Sequence, residues 1–356
     1  MTASSQETGS VRAHFVFLRG REGGRGPPSA PRPVRSRPGE DGRLVSTRSA
    51  PIALLLATLA GCDRTAGGAP PHPAVRDDAG DPVPSAVRDD AGGAVSPAAP
   101  VQRIVSLVPS LTEVLLALGA GDRIAGRTEF DDDPRLVGVP SVGAAVPPSL
   151  EAIAALSPDL VVGWMLPGEE EAWRRLAALG IPVYRAEVET VADVRRHVGR
   201  FGRLLGLETE AAALSRRIGA SLDSVASRVA GRARPSVLYV VWPDPPQTAG
   251  PGTYLDSLIA VAGGRNVFGD VAARWPTVSL EEVVRRRPDV LVIGSSTRDA
   301  LPGGGGPLAG LRASPGWREL EAVRAGRVLV VPSDLFDRPG PRVGEAARRL
   351  AAFLHP

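Results

Sequence analysis

From residue 101 onward, short apolar runs alternate with stretches in which apolar residues recur every three or four positions. The short runs are typical of buried parallel strands, and the periodic stretches are typical of amphipathic helices. Six strands are predicted, at 103–107, 159–163, 182–185, 236–242, 289–294 and 327–331. This alternation predicts an α/β fold with mostly parallel sheets.

The folded part contains a weak internal repeat. Residues 149–163 match residues 279–294, because each copy starts with Ser-Leu-Glu, continues as a short helix and passes through Pro-Asp into an apolar strand. Upstream of each copy, a glycine-containing segment at 118–124 resembles the one at 262–267. Two matched units in the same order predict two similar lobes.

Between the repeats, two stretches show helical periodicity with few turn signals, at 191–205 and 208–231. We expect long helices there, forming a linker at about 190–231 between an N-lobe at about 101–188 and a C-lobe at about 235–356. A stiff helical linkage predicts a small closure of the lobes. The ligand cleft is expected between the lobes, since open α/β sheets bind ligands outside the carboxyl ends of their strands.

Several polar residues lie where predicted helices begin. Ser110 and Glu113 have the spacing of a capping box, which would open a helix that runs to Gly119. Glu151 and Glu281 occupy matched positions in the first turns of the repeated helices. One such Glu is explained by the helix dipole, whereas a matched pair on two lobes could also form a two-point electrostatic dock for a symmetric partner.

Aromatic residues are scarce, and three of the five tryptophans lie where the cleft is expected. Trp164 and Trp242 end predicted strands, and Trp275 precedes the second repeated helix. Rigid aromatic rings suit a planar or bulky ligand, although lobe packing would explain each ring as well. Asp334 and Arg338 follow the last strand in a proline-rich loop, where they could bind the polar rim of a ligand or be solvated.

The high pI of about 9.7 does not indicate nucleic-acid binding. Residues 1–50 hold nine arginines and four acidic residues, which leaves the remaining chain with a net charge of −2. Among the four histidines, His197 alone lies inside the predicted domain away from its end, on a helix face expected to be solvated. A multi-histidine metal site, a Ser-His-Asp hydrolase and a bound cofactor are therefore not predicted.

The single cysteine, Cys62, follows a short apolar run that is preceded by Arg48. This run is too short to span a membrane and has the length of a signal-peptide core. Residues 59–62 resemble the bacterial lipobox, so residues 1–62 are interpreted as an N-terminal extension plus a lipoprotein signal peptide, with Cys62 lipidated. Residues 63–100 are rich in Ala, Pro, Gly and Asp, contain Ala-Val-Arg-Asp-Asp-Ala-Gly twice, and are expected to form a disordered tether.

Four segments resemble the helical-backbone (class III) periplasmic substrate-binding proteins of ABC importers, over about 101–356. Residues 103–113 and the Ser-Leu-Glu segment with its following strand are shared across that class. Residues 275–279 and 333–338 are more similar to its cobalamin-binding branch. The resemblance implies a monomeric lipoprotein, anchored in the periplasm or at the cell surface, which binds a corrinoid and delivers it to a permease dimer with its ATPase.

The resemblance also implies roles for individual residues. Glu151 and Glu281 would engage arginines of the permease. Ala144 and Ala145 stand where the cobalamin binders carry an aromatic contact, so a ferric siderophore or haem stays open as the ligand. An anchored enzyme on the same lobes is a further alternative, although no nucleophile with its base is visible. The residues implied to line the cleft are Phe130, Trp164, Trp242, Trp275, Asp334, Phe336 and Arg338.

Overall fold

A computed structural model describes residues 86–301 and 305–356, which form two α/β lobes and confirm the predicted fold class. The N-lobe is built on four parallel strands in the order β4-β3-β5-β6. These are β3 (Ile104–Ser106), β4 (Ile124–Gly126), β5 (Leu160–Trp164) and β6 (Val183–Ala186).

The C-lobe repeats this topology. Its parallel strands have the order β9-β7-β10-β11, with β9 beside β7 as β4 lies beside β3, and β8 pairs antiparallel with the far end of β7. The matching order explains the sequence repeat, because equivalent segments occupy equivalent places in the two lobes. The strands are β7 (Ser236–Pro243), β8 (Pro246–Thr248), β9 (Arg265–Asn266), β10 (Val290–Gly294) and β11 (Val328–Val331).

Eleven α-helices occur in the described residues, and none of them is long and apolar enough to cross a membrane. The helices are α1 (Pro109–Ala117), α2 (Leu150–Ala155), α3 (Glu170–Ala178), α4 (Val191–Leu205), α5 (Glu208–Val229), α6 (Tyr254–Val261), α7 (Leu280–Arg286), α8 (Pro307–Ala313), α9 (Glu321–Arg324), α10 (Ser333–Phe336) and α11 (Val343–Leu354).

The aspartate of each Pro-Asp pair fastens the strand of its repeat to the neighbouring strand. Asp159 Oδ2 accepts hydrogen bonds from the backbone N–H groups of Gln102 and Arg103, each at 2.8 Å. In the C-lobe, Asp289 Oδ2 accepts from the backbone N–H of Ser236 at 2.7 Å and from its hydroxyl at 2.6 Å. The repeated motif therefore sets the position of β3 against β5 and of β7 against β10.

The two predicted linker helices are present as α4 and α5. Thr190 and Asp193 form a reciprocal capping box that opens α4, and Gly206 ends it with a left-handed φ of 67°. Helix α4 packs on α1 of the N-lobe, and α5 packs on α11 of the C-lobe. Each long helix thus belongs to one lobe, and the short turn at Gly206 joins them.

The capping box predicted at Ser110 is wrong. Helix α1 begins at Pro109 and has no side-chain cap, and Ser110 Oγ is buried without a hydrogen-bond partner among the described residues. Proline suits the first position of a helix because its missing N–H would be unsatisfied there anyway. Glu113 instead accepts a hydrogen bond from Arg342 of the C-lobe.

The prediction of a disordered tether is wrong for residues 86–100, while residues 63–85 lie outside the described residues. Strands β1 (Val87–Arg88) and β2 (Ala94–Val95) form an antiparallel hairpin on the N-lobe. Both of its valines are buried, with 3% and 4% of their surfaces exposed. Composition did not reveal this hairpin, because its binding partners lie about a hundred residues further along the chain.

Two aspartates of the second heptapeptide copy hold the hairpin in place. The carboxylate of Asp89 is buried and accepts from Arg185 Nε at 2.5 Å. Asp90 accepts from Arg200 Nη1 at 2.5 Å and from the backbone N–H of Glu187 at 2.8 Å. Burial acts to raise the pKa of Asp90, but the hydrogen bonds from Glu187 and Arg200 outweigh it, and the net shift is downward. The stability that Asp90 contributes is therefore present at neutral pH and lost as the pH falls through its lowered pKa.

We expect Asp90→Ala to lower the free energy of unfolding at pH 7 by ~1–3 kcal/mol, because it leaves buried donors without their acceptor. Opening of the hairpin should also expose the peptide bond after Arg88 to trypsin, which limited proteolysis with mass spectrometry would detect. The matched control is Asp78→Ala in the first copy of the heptapeptide. An equal loss of stability in both variants would contradict the role assigned to Asp90.

Candidate functional site

Residues that follow the carboxyl ends of strands in both lobes contact one another. After β6, the chain reaches Glu189, whose side-chain Oε2 accepts from the indole Nε1 of Trp275 at 2.9 Å. The backbone carbonyl of Glu189 accepts from the N–H of Tyr254, at the start of α6, at 2.6 Å. One side of the lobe boundary is therefore closed by hydrogen bonds between the two lobes.

A second contact joins the loop after β11 to the N-lobe. Arg338 Nη2 donates to the carbonyl oxygen of Phe130 at 2.8 Å, and Arg338 Nη1 donates to Asp132 at 3.0 Å. The Arg338 side chain keeps 22% of its surface exposed. The loop that bears Phe130 follows β4, so the predicted site residues Phe130 and Arg338 meet at the boundary.

The third contact is a forked ion pair. Arg342 donates from Nε and Nη2 to the two carboxylate oxygens of Glu113, at 2.9 and 2.7 Å, and from Nη1 to Asp334 at 3.2 Å. Such two-point pairs fix geometry as well as charge. Burial raises the pKa of Glu113 in spite of Arg342. Asp334, predicted as a ligand contact, is thus held at the boundary by Arg342.

The loops that carry Trp242 and Trp275 are neighbours. Trp242 is paired with Gln247 across the β7–β8 hairpin, and Gln247 forms a β-bridge with Thr277. Both indoles are half-buried, and Trp242 Nε1 donates to the carbonyl of Asp244 at 2.8 Å. The backbone that follows Trp275 therefore lies next to the β7–β8 hairpin that bears Trp242.

Comparison with known proteins agrees with this architecture. Residues 104–335 match the periplasmic binding protein family. The chain belongs to that family. As one of its substrate-binding proteins, it acts outside the cytoplasm with the permease and ATPase of an ABC transporter. The structural resemblance to class III binding proteins is likewise confirmed.

Individual relatives show the range of ligands in this periplasmic binding protein family. A vitamin B12-binding protein of Vibrio parahaemolyticus is 29% identical over 245 residues, covering 68% of this chain and 86% of the relative. An uncharacterised ABC transporter substrate-binding lipoprotein of Bacillus subtilis is 29% identical over 262 residues, covering 72% and 80%. The apo structure of a periplasmic haem-binding protein from Roseiflexus has a TM-score of 0.65 and 27% identity, covering 72% and 98%.

Phe336 does not line a cleft in this binding protein, which corrects the sequence-based expectation. Its side chain is fully buried at 0% exposure in the core. Asp334 and Phe336 are two residues apart in α10, so their side chains point about 200° apart around the helix axis. Phe336 is therefore a packing residue.

Trp164 also exposes little surface that a ligand could contact in this conformation. It ends β5, as predicted, but only 8% of its surface is exposed and its ring packs in the core that spans both lobes. Phe130, by contrast, is half-buried. The predicted contacts that offer surface at the boundary are thus Phe130, Trp242, Trp275, Asp334 and Arg338.

His197 is fully buried, and the predicted solvated position is wrong. Its Nδ1 lies 2.7 Å from the hydroxyl of Tyr184, and its Nε2 lies 2.9 Å from the carbonyl of Glu187. Burial lowers the pKa of His197, which favours the neutral ring. The side chain ties α4 to strand β6 and has a structural role.

Glu151 and Glu281 lie where the repeat places them, at the second positions of α2 and α7. Both are exposed, and within the described residues neither takes part in a hydrogen bond or ion pair. The next residue, Glu282, instead pairs with Arg285 and Arg286. Two uncompensated carboxylates therefore stand at equivalent points of the two lobes.

Sequence reasoning missed three residues that organise the boundary. From the sequence, Glu113 is predicted to belong to a capping box. No role is predicted for Arg342, in the proline-rich loop, or for Glu189. Glu113 and Arg342 could have been predicted to form an ion pair, because a carboxylate and an arginine in conformationally restrained segments are candidates for one. Glu189 lies in an irregular segment and carries no such signal.

A buried acid lies behind the boundary. The carboxyl of Asp337 accepts a short hydrogen bond from the hydroxyl of Tyr239, and Asp337 Oδ2 has no hydrogen-bond partner among the described residues. Burial raises the pKa of Asp337 to about 7. Because its folded-state pKa lies above the unfolded one, the stability that Asp337 contributes is fully present below about pH 4 and is lost as the pH rises towards 7.

We expect Asp337→Asn to remove this pH dependence, because Asn cannot ionise and its Oδ1 can still accept from Tyr239. Between about pH 4 and pH 7, the free energy of unfolding of the variant should change relative to that of the wild type by up to about 1.4 kcal/mol per pH unit, in favour of the variant as the pH rises. Urea unfolding across that range measures the difference. Asp223→Asn, at an exposed position of α5, is the control and should keep the slope; an unchanged slope in Asp337→Asn would contradict the assignment.

Proposed function

We propose that the protein binds a corrinoid at the boundary between its lobes and delivers it to an ABC permease while anchored through Cys62. The proposal is supported by the half-buried rings of Phe130, Trp242 and Trp275 and by the polar side chains of Asp334 and Arg338, all of which end or follow strands of the two lobes. Flat aromatic surface matches a macrocycle, and a few placed polar groups match its amide rim. The vitamin B12-binding relative supports the same ligand.

The charges at the boundary favour a ligand with little net charge. Arg338 is paired with Asp132, and Arg342 is paired with Glu113 and Asp334. An anionic ferric siderophore, or a haem with its two propionates, would have to compete with these carboxylates for the arginines. A corrinoid with an amide rim can instead accept and donate hydrogen bonds while the ion pairs stay formed.

The burial of the tyrosines and of His197 favours a corrinoid over a haem held through those side chains, whereas Met165, directly after β5, is half-buried and stays open as a haem ligand. Haem iron is held by His, Tyr, Met or Cys side chains. Tyr184, Tyr239, Tyr254 and His197 are each at most 3% exposed. His355 bonds to the carbonyl of Ala262, next to the start of β9 and away from the carboxyl ends. Cobalamin brings its own axial base and does not require such a ligand.

Isothermal calorimetry on the mature protein tests the ligand. We expect cyanocobalamin to bind with a Kd in the micromolar range or tighter, and haem and a ferric hydroxamate to bind at least about tenfold more weakly. Corrin quenching of tryptophan fluorescence should fall in Trp275→Ala, whereas Trp317→Phe, far inside the C-lobe core, is the control. Tight binding of haem or the siderophore with none of cyanocobalamin would overturn the proposal.

The lipid anchor rests on the lipobox at 59–62, which lies outside the described residues. The Bacillus subtilis relative, described as a lipoprotein, supports it. A Cys62→Ser variant that stayed in the membrane fraction would argue against the anchor.

We propose that Glu151 and Glu281 dock the two lobes on the permease. They are exposed, unpaired within the described residues and matched by the repeat, and a carboxylate at a rim changes association more than it changes folding.

Glu151→Arg combined with Glu281→Arg should reduce ligand uptake by cells more than tenfold, while leaving the Kd for ligand within about twofold, because opposed charges now meet at the docking surface. Transport of labelled ligand and calorimetry measure the two effects separately. The control is Glu208→Arg with Glu210→Arg, at the exposed start of α5. Weakened ligand binding in the first pair would show that these residues belong to the ligand site instead.

A further inference from the structure

We propose that Glu189 is a positioning residue that fixes the indole of Trp275 for contact with the ligand. This inference rests on the proposed function, which gives Trp275 a ligand to contact. The hydrogen bond from Trp275 Nε1 to Glu189 Oε2 measures 2.9 Å and joins the two lobes. Only 7% of the Glu189 surface is exposed, so the acceptor sits at the boundary and not in bulk water.

Glu189 is itself held from both sides. Its backbone N–H donates to Asp193 Oδ2 at 3.0 Å, at the start of α4, and its carbonyl accepts from Tyr254 of the C-lobe at 2.6 Å. These two bonds fix the backbone position from which the side chain extends, and the burial of the side chain restricts its rotamers. The carboxylate therefore presents a defined acceptor to the indole.

The segment that leads to Glu189 is braced by the hairpin. The backbone N–H of Glu187 donates to Asp90 at 2.8 Å, and its carbonyl lies 2.9 Å from Nε2 of the buried His197. The hairpin lies before residue 104, where the match to the periplasmic binding protein family begins. An element outside the family domain thus supports the segment that carries Glu189.

The backbone around Trp275 is also held by hydrogen bonds. The orientation of the ring therefore depends on the side-chain torsions of Trp275. Gly250 N–H donates to the carbonyl of Arg274 at 2.6 Å, and Thr248 N–H donates to that of Pro276 at 3.1 Å. A tryptophan side chain has two rotatable bonds, and a hydrogen bond to its Nε1 restricts both. A ring oriented before the ligand arrives loses less conformational entropy on binding.

The test combines a ligand-free and a ligand-dependent readout on the mature protein. Glu189→Met keeps the side-chain volume but removes the acceptor, and Glu189→Gln restores it through the amide oxygen. In ¹H–¹⁵N spectra without ligand, the indole N–H signal of Trp275, assigned by its loss in Trp275→Phe, should shift upfield in Glu189→Met and return towards the wild-type position in Glu189→Gln. Glu187→Gln, two residues away and exposed, is the matched control and should leave the signal in place.

Calorimetry with cyanocobalamin then measures the consequence for binding. Glu189→Met should weaken the Kd by up to about tenfold, because the freed indole must then be immobilised when the ligand binds, and Glu189→Gln should stay within about threefold of wild type. In a Trp275→Phe background, Glu189→Met should have no further effect on the Kd. If Glu189→Met does not fold, Trp275→Phe removes the same hydrogen bond from the other side and should weaken the Kd by at least as much.

The two readouts separate failure of this inference from failure of the proposed ligand. If wild-type protein does not bind cyanocobalamin, the proposed function fails, while the indole signal still tests whether Glu189 positions the ring. An indole signal unchanged in Glu189→Met would overturn the inference. So would an equal loss of affinity from Glu189→Met with and without the Trp275 indole.

Discussion

The forked ion pair between Glu113 and Arg342 is the constraint on which the arrangement of the two lobes depends. It joins helix α1 of the N-lobe to the last loop of the C-lobe by two hydrogen bonds of 2.9 and 2.7 Å. Breaking such a pair leaves a buried charge uncompensated, so the two lobes are held together in the absence of ligand. Arg338 and Glu189 add further cross-lobe hydrogen bonds. A binding protein fastened at three places, with a long helix packed on each lobe, favours a small closure over a wide hinge movement.

These contacts also restrict what the boundary can bind. The arginines that would attract an anionic ligand are already engaged by carboxylates, whereas the half-buried rings of Trp242 and Trp275 keep surface available. Recognition by this site would therefore depend on flat apolar contact and a few hydrogen bonds more than on charge. The same family includes haem-binding proteins, so it is these side chains, and not the fold, that distinguish one ligand from another.

Much of the fold could be predicted from the sequence, because its signals are local. The strand predicted at 289–294 appears as Val290–Gly294 and the helix predicted at 191–205 appears as Val191–Leu205, since each depends on the period of its own apolar residues. The repeat placed Glu151 and Glu281 correctly for the same reason. The site was predicted less well, because the exposure of Phe336 and the partners of Glu113 depend on residues far away in the chain. Periodicity shows which side of an element is apolar, but not what packs against its polar side.

The hairpin shows that distant partners can order a segment whose composition predicts disorder. The same heptapeptide occurs twice, in a segment whose Ala, Pro and Gly content argues against folding, yet the second copy is ordered by Arg185 and Arg200. Two buried valines alone would contribute only a few kcal/mol, which is less than the entropy of ordering ten residues. Hydrogen bonds also join the hairpin to Arg185, Arg200 and Glu187, so its placement is tied to the segment that carries Glu189. The hairpin is thus part of the support for the segment that carries Glu189, so changes that release the hairpin are expected to reach Trp275 through Glu187 and Glu189.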